Sequence, residues 1–214
     1  MKKRIKRIVI VAGGTLDKSF VSEIQSADLV IGVDAGAAWL LARGVVPAVA
    51  VGDFDSVSAT QLKKIKKEVK EVLVHNPEKD ATDLELAVEY AIGMKPIEIM
   101  IFGGIGTRMD HTWAAIQLLQ TIESHNIYAQ IVDNFNKIYI VRHVVSLKPL
   151  KAFPYISLFS LTATSIVTLQ GFRYNVNHHK FFANSSRGVS NEIVSKSAKI
   201  TTHSGKLLLV RSRD

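Results

Sequence analysis

The first part of the chain repeats one pattern, in which a short apolar run ends at a glycine or an aspartate and an amphipathic stretch follows. Such runs extend from Ile5 to Ala12, from Leu29 to Val33 and from Ile97 to Phe102. β-branched runs without polar alternation are typical of strands that are buried on both faces of a parallel sheet. Strands that alternate with helices are joined by right-handed crossovers. The pattern therefore predicts an α/β fold with a Rossmann-like parallel sheet.

Helices are predicted between these runs from the spacing of apolar residues and from the capping residues that precede them. They cover residues 36–43, residues 58–69 with Ser58 as the cap, residues 82–92, and residues 112–124 with Trp113, Ile116, Leu119 and Ile122 facing inward. Further short strands are predicted at residues 49–51, 71–75 and 128–132. Each of these helices separates two predicted strands, as the crossovers of a parallel sheet require.

The pattern changes after Asp133. Helical periodicity fades, and strands are predicted at residues 137–141, 155–161, 165–169, 199–202 and 206–211. The run His203-Ser204-Gly205 predicts a hairpin loop between the last two of these strands. Several short strands with turn signals are typical of an antiparallel β-sandwich. We therefore expect two domains, residues 1–133 and residues 134–214.

The net charge of +8 raises the question of a nucleic-acid partner. One basic cluster consists of lysines opposite apolar residues on a helical wheel: Lys63, Lys64, Lys66, Lys67 and Lys70 against Leu62, Ile65 and Val69. This arrangement is typical of the solvated face of an amphipathic helix. We therefore expect no nucleic-acid partner.

Two further features of the sequence limit the compartment. The chain has no cysteine, which excludes disulfides, thiolate metal sites and cysteine nucleophiles. The apolar stretch from Ile8 to Ala12 is too short for a signal peptide, and no run approaches the roughly 20 apolar residues that span a bilayer. We expect a cytoplasmic protein without a membrane partner.

Acidic residues follow the predicted strands. Asp53 and Asp55 are two residues apart, so in an extended chain their side chains point the same way and can share a metal ion. Asp80 and Asp83 stand at the start of a predicted helix, where Asp80 could instead be the N-cap of a capping box. Ligands bind at the carboxyl edge of an open α/β sheet. We expect these carboxylates to gather there around a divalent cation that carries a nucleotide phosphate.

A glycine-rich segment, Gly103-Gly104-Ile105-Gly106, separates a predicted strand from the next helix. Its glycines allow backbone amides to approach a nucleotide, and Arg108 suits bidentate phosphate binding. The segment is not a P-loop, because it lacks the Gly-Lys-Ser/Thr ending. Asp110 could cap the following helix or hold Arg108, and His111 is given no role as a base. Asp34, after the second strand, could bind a ribose, support another site residue or cap a helix.

These segments, taken in order, resemble the thiamine pyrophosphokinase family. The resemblance rests on Val33-Asp34-Ala35-Gly36-Ala37, Pro47 to Gly52-Asp53-Phe54-Asp55-Ser56, Asp80-x-Thr82-Asp83, Gly103-Gly104-x-Gly106-x-Arg108-x-Asp110-His111, Leu169-Gln170-Gly171-Phe172-Arg173-Tyr174, Gly188-Val189-Ser190-Asn191-Glu192 and Gly205-Lys206-Leu207-Leu208-Leu209-Val210. It implies an α/β catalytic domain, a C-terminal β-sandwich that binds thiamine, and a homodimer. It also implies a transfer of pyrophosphate from ATP to the thiamine hydroxyl that depends on Mg²⁺ and releases AMP.

The roles of individual residues follow from this resemblance. It implies metal ligation by Asp53, Asp55, Asp80 and Asp83, and catalysis by the same four aspartates with Arg108. It implies ATP binding by Asp34, Gly36, Ser56, Gly103, Gly104, Arg108, Asp110 and His111. It implies thiamine binding by Asp83, Ser190 and Asn191.

Two other functions stay open at this point. Another magnesium-dependent nucleotide phosphohydrolase or transferase could use the same acidic residues, with water as the nucleophile in the hydrolase. A non-catalytic module could capture a small ligand or nucleic acid, although it would not need four aspartates together. AMP formation with and without thiamine separates the first alternative, and a salt-sensitive affinity for polynucleotides would favour the second.

Overall fold

The structure is a computed structural model that describes residues 5–75 and 80–214. Contacts along the chain divide it into two compact units, Met1–Asp133 and Asn134–Asp214. Among the described residues, no helix has the length and apolar character needed to cross a membrane.

The first unit is built around a six-stranded parallel sheet. Its strands are β1 (Arg7–Val11), β2 (Leu29–Val33), β3 (Val49–Gly52), β4 (Glu71–Val74), β5 (Glu98–Phe102) and β6 (Tyr128–Val132), in the order β6-β5-β1-β2-β3-β4. Its helices are α1 (Val21–Gln25), α2 (Ala35–Leu41), α3 (Ala59–Glu68), α4 (Asp83–Gly93) and α5 (Met109–Ser124). All five strand pairings are parallel, so the carboxyl ends of the six strands share one edge. The predicted α/β fold with a parallel sheet is confirmed.

One predicted helix cap is confirmed and another is wrong. Ser58 caps α3 as predicted, because its side chain accepts from the Gln61 amide while the Gln61 side chain accepts from the Ser58 amide. The N-cap of α4 is Thr82 instead of Asp80, and the Thr82 hydroxyl accepts from the Glu85 amide at 3.1 Å. The capping-box interpretation of Asp80 is therefore wrong.

The inward face of α5 also differs from the prediction. Trp113 is 56% exposed and Ile116 is half-buried, whereas Leu119 and Ile122 are buried as predicted. The buried face runs through Thr112 and Ala115, and their small side chains gave little apolar signal in the sequence. A tryptophan next to such a face lies about 100° around the helix from it, which places its ring outside.

The second unit consists of two antiparallel arrays. The first contains β7 (Asn136–Val141), β9 (Tyr155–Ser160), β12 (Asn191–Glu192) and β14 (Leu207–Ser212), in the order β12-β9-β14-β7. The second contains β8 (Val144–Leu147), β10 (Thr164–Gln170), β11 (Val176–Phe182) and β13 (Ala198–Ser204), in the order β11-β10-β13-β8. Buried residues from both arrays, including Ile156, Val167 and Leu209, form one hydrophobic core.

The predicted hairpin at residues 203–205 is wrong. β13 pairs with β10 and β8, whereas β14 pairs with β7 and β9, so the two strands belong to different arrays. Gly205 adopts a φ of +80°, and a Cβ there would lie 2.4 Å from the Ser165 hydroxyl. The turn thus passes the chain from one array to the other, and a turn motif alone does not report which strands pair. β8, β11 and β12 were not predicted from the sequence; β11 is mostly exposed and β12 has two residues.

Candidate active site

The shared carboxyl edge of the parallel sheet encloses a cavity of about 580 Å³ in the first unit. It is lined by the turns that follow β1, β2, β3 and β5 and by the first residues of α4 and α5. Of the residues predicted for the site, the cavity brings together Asp34, Asp53, Asp55, Ser56, Asp83, Gly103, Gly104, Arg108 and His111. The sheet topology thus gathers segments that are far apart in the sequence.

Three predicted site residues in the first unit lie outside the lining of this cavity: Gly36, Asp80 and Asp110. Gly36 is buried in the first turn of α2, and a Cβ there would lie 2.0 Å from the Val11 carbonyl oxygen. The absence of a side chain at Gly36 therefore allows α2 to pack closely on β1, so this glycine is required by the fold.

Three carboxylates in the cavity converge closely. Asp34 follows β2, Asp53 follows β3, and Asp83 is the first residue of α4; each offers an oxygen, and these oxygens lie within 4.8 Å of one another. Three convergent carboxylate oxygens match the ligands of a hard divalent cation. Asp55 lines the same cavity but is not part of this group, which we call the acidic triad: Asp34, Asp53 and Asp83.

Asp34 is held in an unusual conformation. Its backbone has a φ of 45° and a ψ of −120°, and its amide donates to the Val51 carbonyl at 3.0 Å. Its Oδ1 accepts from the Phe54 amide at 3.1 Å, and a Cβ at Gly52 would lie 1.8 Å from that oxygen. Strained backbone of this kind persists when the surrounding contacts determine it, and it is common at functional sites. The glycine before Asp53 therefore makes room for the Asp34 carboxylate.

Burial and neighbouring negative charge together change the pKa of Asp34. Burial raises the pKa of Asp34 from 3.8 to about 6, helped by the charges of Asp83, Asp53 and Asp55 and opposed by the hydrogen bond from the Phe54 amide. A raised carboxyl pKa in a cleft, caused by burial and like charges, is a common mark of a functional site. A cation held by the acidic triad would relieve this repulsion.

Two glycine turns pack against each other beside the acidic triad. The Gly14 amide donates to the Gly103 carbonyl at 2.9 Å, and the Thr15 amide donates to the Ile105 carbonyl at 2.7 Å. A Cβ at Gly14 would lie 2.4 Å from both of these carbonyl oxygens, so only glycine fits this approach. Gly103 has a φ of +68°, which also favours glycine. The cavity is therefore bordered partly by backbone, as close contact with a phosphate requires.

Arg108 and Asp110 form an exposed ion pair at the start of α5. The guanidinium donates two hydrogen bonds to the carboxylate, and this pairing lowers the pKa of Asp110 to about 2. Of the two roles considered for Asp110, the structure has it hold Arg108. Arg108 lines the cavity, where its remaining N–H groups can donate to an anionic ligand.

A second cavity, of about 300 Å³, lies in the second unit. Its lining is mainly apolar and aromatic, with a few polar groups: Ile156, Leu158, Leu169, Phe172, Tyr174, Val176, His179, Phe181, Arg187, Gly188, Val189 and Asn191. Asn191, predicted for the thiamine site, is part of this lining, but Ser190 is not. The Ser190 backbone has a φ of 57°, and its amide donates to the Ser157 hydroxyl at 3.1 Å.

Sequence reasoning missed several residues of the two cavities. The sequence suggested that Asp34 binds a ribose, supports another site residue or caps a helix, but not that it belongs to a cation site. Its position at the end of β2, the strand beside β3, could have indicated this. His179 and Arg187 line the second cavity, but no motif marked them. Apolar walls from different strands leave no local sequence signal.

Family models match both units of the chain. The model for the thiamin pyrophosphokinase catalytic domain matches residues 20–131, and the model for the thiamin pyrophosphokinase vitamin B1 binding domain matches residues 142–207. The chain is also 34% identical to the thiamine pyrophosphokinase of Bacillus subtilis over 215 residues, which cover 98% of this chain and all of that protein. The chain belongs to the thiamin pyrophosphokinase family.

Solved structures of this family have the same fold. The crystal structure of thiamine pyrophosphokinase from Bacillus subtilis superposes with a TM-score of 0.90 at 33% identity, covering 98% of this chain and 100% of that chain. The enzyme from Geobacillus thermodenitrificans gives 0.83 at 28% identity, with 97% and 98% covered. Yeast thiamin pyrophosphokinase gives 0.80 at 16% identity, with 99% and 88% covered, which shows a shared fold. The mixed α/β architecture is thus that of the thiamin pyrophosphokinase family.

Proposed function

We propose that this chain transfers pyrophosphate from ATP to the hydroxyl of thiamine, forming thiamine diphosphate and AMP. The observation that supports this most strongly is the acidic triad at the carboxyl edge of the sheet, in a chain that matches both thiamin pyrophosphokinase family models. We assign residues 1–133 to a Rossmann-like catalytic domain and residues 134–214 to a β-sandwich that binds thiamine and forms a homodimer.

Magnesium is the cation that we propose for the acidic triad. Its three carboxylate oxygens lie within 4.8 Å of one another, and burial, helped by the neighbouring carboxylates, raises the pKa of Asp34 to about 6. Mg²⁺ prefers oxygen ligands and is commonly bound by a few carboxylates together with substrate phosphates. The family resemblance also implies Asp55 and Asp80 as ligands of this cation, and we keep both as proposals.

The residues of the cavity can have separate roles in the reaction. Asp34, Asp53 and Asp83 would hold the cation, which when bound would stabilise the charge on the phosphoryl oxygens. The glycine turns and Ser56 offer donors to the phosphates, and Arg108, held by Asp110, neutralises further charge. The thiamine hydroxyl attacks the β-phosphorus, the bond to AMP breaks, and the hydroxyl proton passes to a carboxylate near the start of α4, either Asp83 or Asp80. In-line positioning matters more than a strong base in such transfers.

The test of this function is a reaction with defined components. Protein, ATP, Mg²⁺ and thiamine are mixed, and the expected products are thiamine diphosphate and AMP in equal amounts. A control without thiamine should form little AMP. AMP formation that is independent of thiamine would instead favour a nucleotide phosphohydrolase, and absence of any turnover would contradict the proposal.

The homodimer rests on the family resemblance alone, whereas the cytoplasmic location is a proposal from the composition of the sequence. Light scattering during gel filtration measures the mass of the particle directly. We expect twice the 23.6 kDa mass of one chain, and a particle of one chain's mass would contradict the dimer.

A further inference from the structure

The side chain of Asn191 is occupied by backbone groups. It is 8% exposed, and its Oδ1 accepts from the Tyr174 amide at 3.1 Å and from the Glu192 amide at 2.9 Å. Its Nδ2 donates to the Tyr174 carbonyl at 2.9 Å. An amide oxygen has two lone pairs and an amide nitrogen has two protons. Both acceptor positions are therefore taken, and a single N–H is left for any ligand.

These bonds fix the segment that connects β10 to β11. Phe172 and Tyr174 belong to this segment and line the second cavity, Phe172 with its ring fully buried and Tyr174 with 65% exposure. The Arg173 amide donates to the Glu192 carbonyl at 2.8 Å, and the Arg173 and Glu192 side chains form an ion pair at 3.3 Å. Asn191 alone among these groups bonds both polar atoms of the Tyr174 backbone. These two bonds hold the Tyr174 backbone, from which an exposed aromatic ring extends at the cavity.

We infer that Asn191 is a positioning residue for the organic substrate and does not bind that substrate through its carbonyl. It holds the Tyr174 ring as a wall of the second cavity, whose other walls are largely apolar. Such a cavity suits a flat heteroaromatic ring, because aromatic and apolar walls stabilise it without using hydrogen bonds. This inference rests on the proposed function, since it takes thiamine as the substrate that the cavity receives.

The first test is Asn191→Asp, which keeps the shape and the accepting Oδ1. The donating Nδ2 becomes an oxygen that faces the Tyr174 carbonyl at the former hydrogen-bond distance of 2.9 Å. We expect the KM for thiamine to rise about tenfold, while kcat and the KM for ATP change less than about threefold. The matched control is Glu192→Gln, which breaks the ion pair between the same two segments but leaves the Tyr174 backbone bonds intact. Its KM for thiamine should stay near the wild-type value.

The deciding test is a double-mutant cycle with Tyr174→Ala. If Asn191 acts through Tyr174, the single change at Tyr174 raises the KM for thiamine, and adding Asn191→Asp to it raises the KM less than about twofold further. If Asn191 binds thiamine directly, the two effects multiply, and the inference is overturned. A KM unchanged in Asn191→Asp would also overturn it.

Thermal unfolding is measured for every variant, together with Asn191→Ala. Loss of a cooperative transition in both Asn191 variants would make Asn191 a residue of the fold in general and would reject the positioning role. A wild-type protein that forms no thiamine diphosphate would reject the proposed function itself. That result differs from an active wild-type enzyme in which the effects of Asn191→Asp and Tyr174→Ala on the KM for thiamine multiply, because the latter overturns only the role of Asn191.

Discussion

The two cavities arise from the sequence in different ways. The first is lined by charged residues and glycines from the ends of parallel strands, and the sheet alone brings these ends to one edge. The second is lined mainly by apolar side chains from different strands and by loops that a few side-chain hydrogen bonds hold in place. The position of the charged residues is thus set by the sheet topology, whereas the shape of the apolar cavity is set by side-chain packing and by individual hydrogen bonds between distant parts of the chain. Changes in the first cavity should affect turnover or the KM for ATP, and changes in the second should affect the KM for thiamine.

The largest effect is expected for Asp53→Asn. The change removes one charge from the acidic triad while keeping the shape of the side chain, so kcat should fall by about a thousandfold or more. The thermal transition should stay cooperative, because the lost charge was repelled by its neighbours. Glu89→Gln, on the exposed side of α4, is the matched control for loss of one acidic charge. Near-normal turnover in Asp53→Asn would remove this residue from the cation site.

Gly52→Ala tests how the triad is assembled. The new methyl group would lie 1.8 Å from the Asp34 Oδ1, so the carboxylate must move. We expect a loss of roughly a hundredfold in kcat/KM and a loss of about 1–3 kcal/mol in the free energy of unfolding. Gly44→Ala is the control, because Gly44 also has a positive φ of 72° but nothing lies within 4 Å of its added Cβ. Equal losses of activity in the two variants would show that backbone strain, and not displacement of Asp34, is the cause.

Arg108→Gln should have a smaller and more specific effect. The variant keeps a polar side chain at the cavity but loses the positive charge, so the KM for ATP should rise about tenfold. The KM for thiamine should change little, in contrast to the result expected for Asn191→Asp. Steady-state kinetics with each substrate varied in turn provide the measurement. A rise confined to the KM for thiamine would contradict the assignment of ATP to the first cavity and thiamine to the second.

The smallest effect is expected in the dependence of stability on pH. The pKa of Asp34 in the folded protein is about 6, above its ordinary value of 3.8, so the folded state binds more protons in this range. Stability contributed by this group is present below about pH 4 and is lost as the pH rises through about 6. The melting temperature of metal-free wild-type protein should therefore fall between these values relative to that of Asp34→Asn. Parallel curves for the two proteins would contradict the raised pKa.

The sequence predicted the first cavity better than the second for a physical reason. Strand ends such as Val33-Asp34 and Gly52-Asp53 are readable because apolar runs end there, and parallel pairing then places them side by side. The place of Asp34 in the triad could not be read from the sequence, because it depends on the space that Gly52 leaves for the Asp34 carboxylate.

Long-range contacts explain what could not be predicted. The turn at residues 203–205 has a hairpin motif, yet the pairing of β13 with β10 separates it from β14. Asn191 bonds the backbone of Tyr174, which lies 17 residues away in the chain. Neither contact has a local periodic pattern that the sequence could display.

The most direct test of the account is whether the acidic triad binds a divalent cation together with a nucleotide. Calorimetric titration of a non-hydrolysable ATP analogue with Mg²⁺ should show one binding site in the wild-type protein. We expect binding to weaken by about a hundredfold or more in each of Asp34→Asn, Asp53→Asn and Asp83→Asn, while the variants stay folded. Unchanged affinity in all three variants would contradict the claim that these carboxylates converge to hold the metal–nucleotide complex.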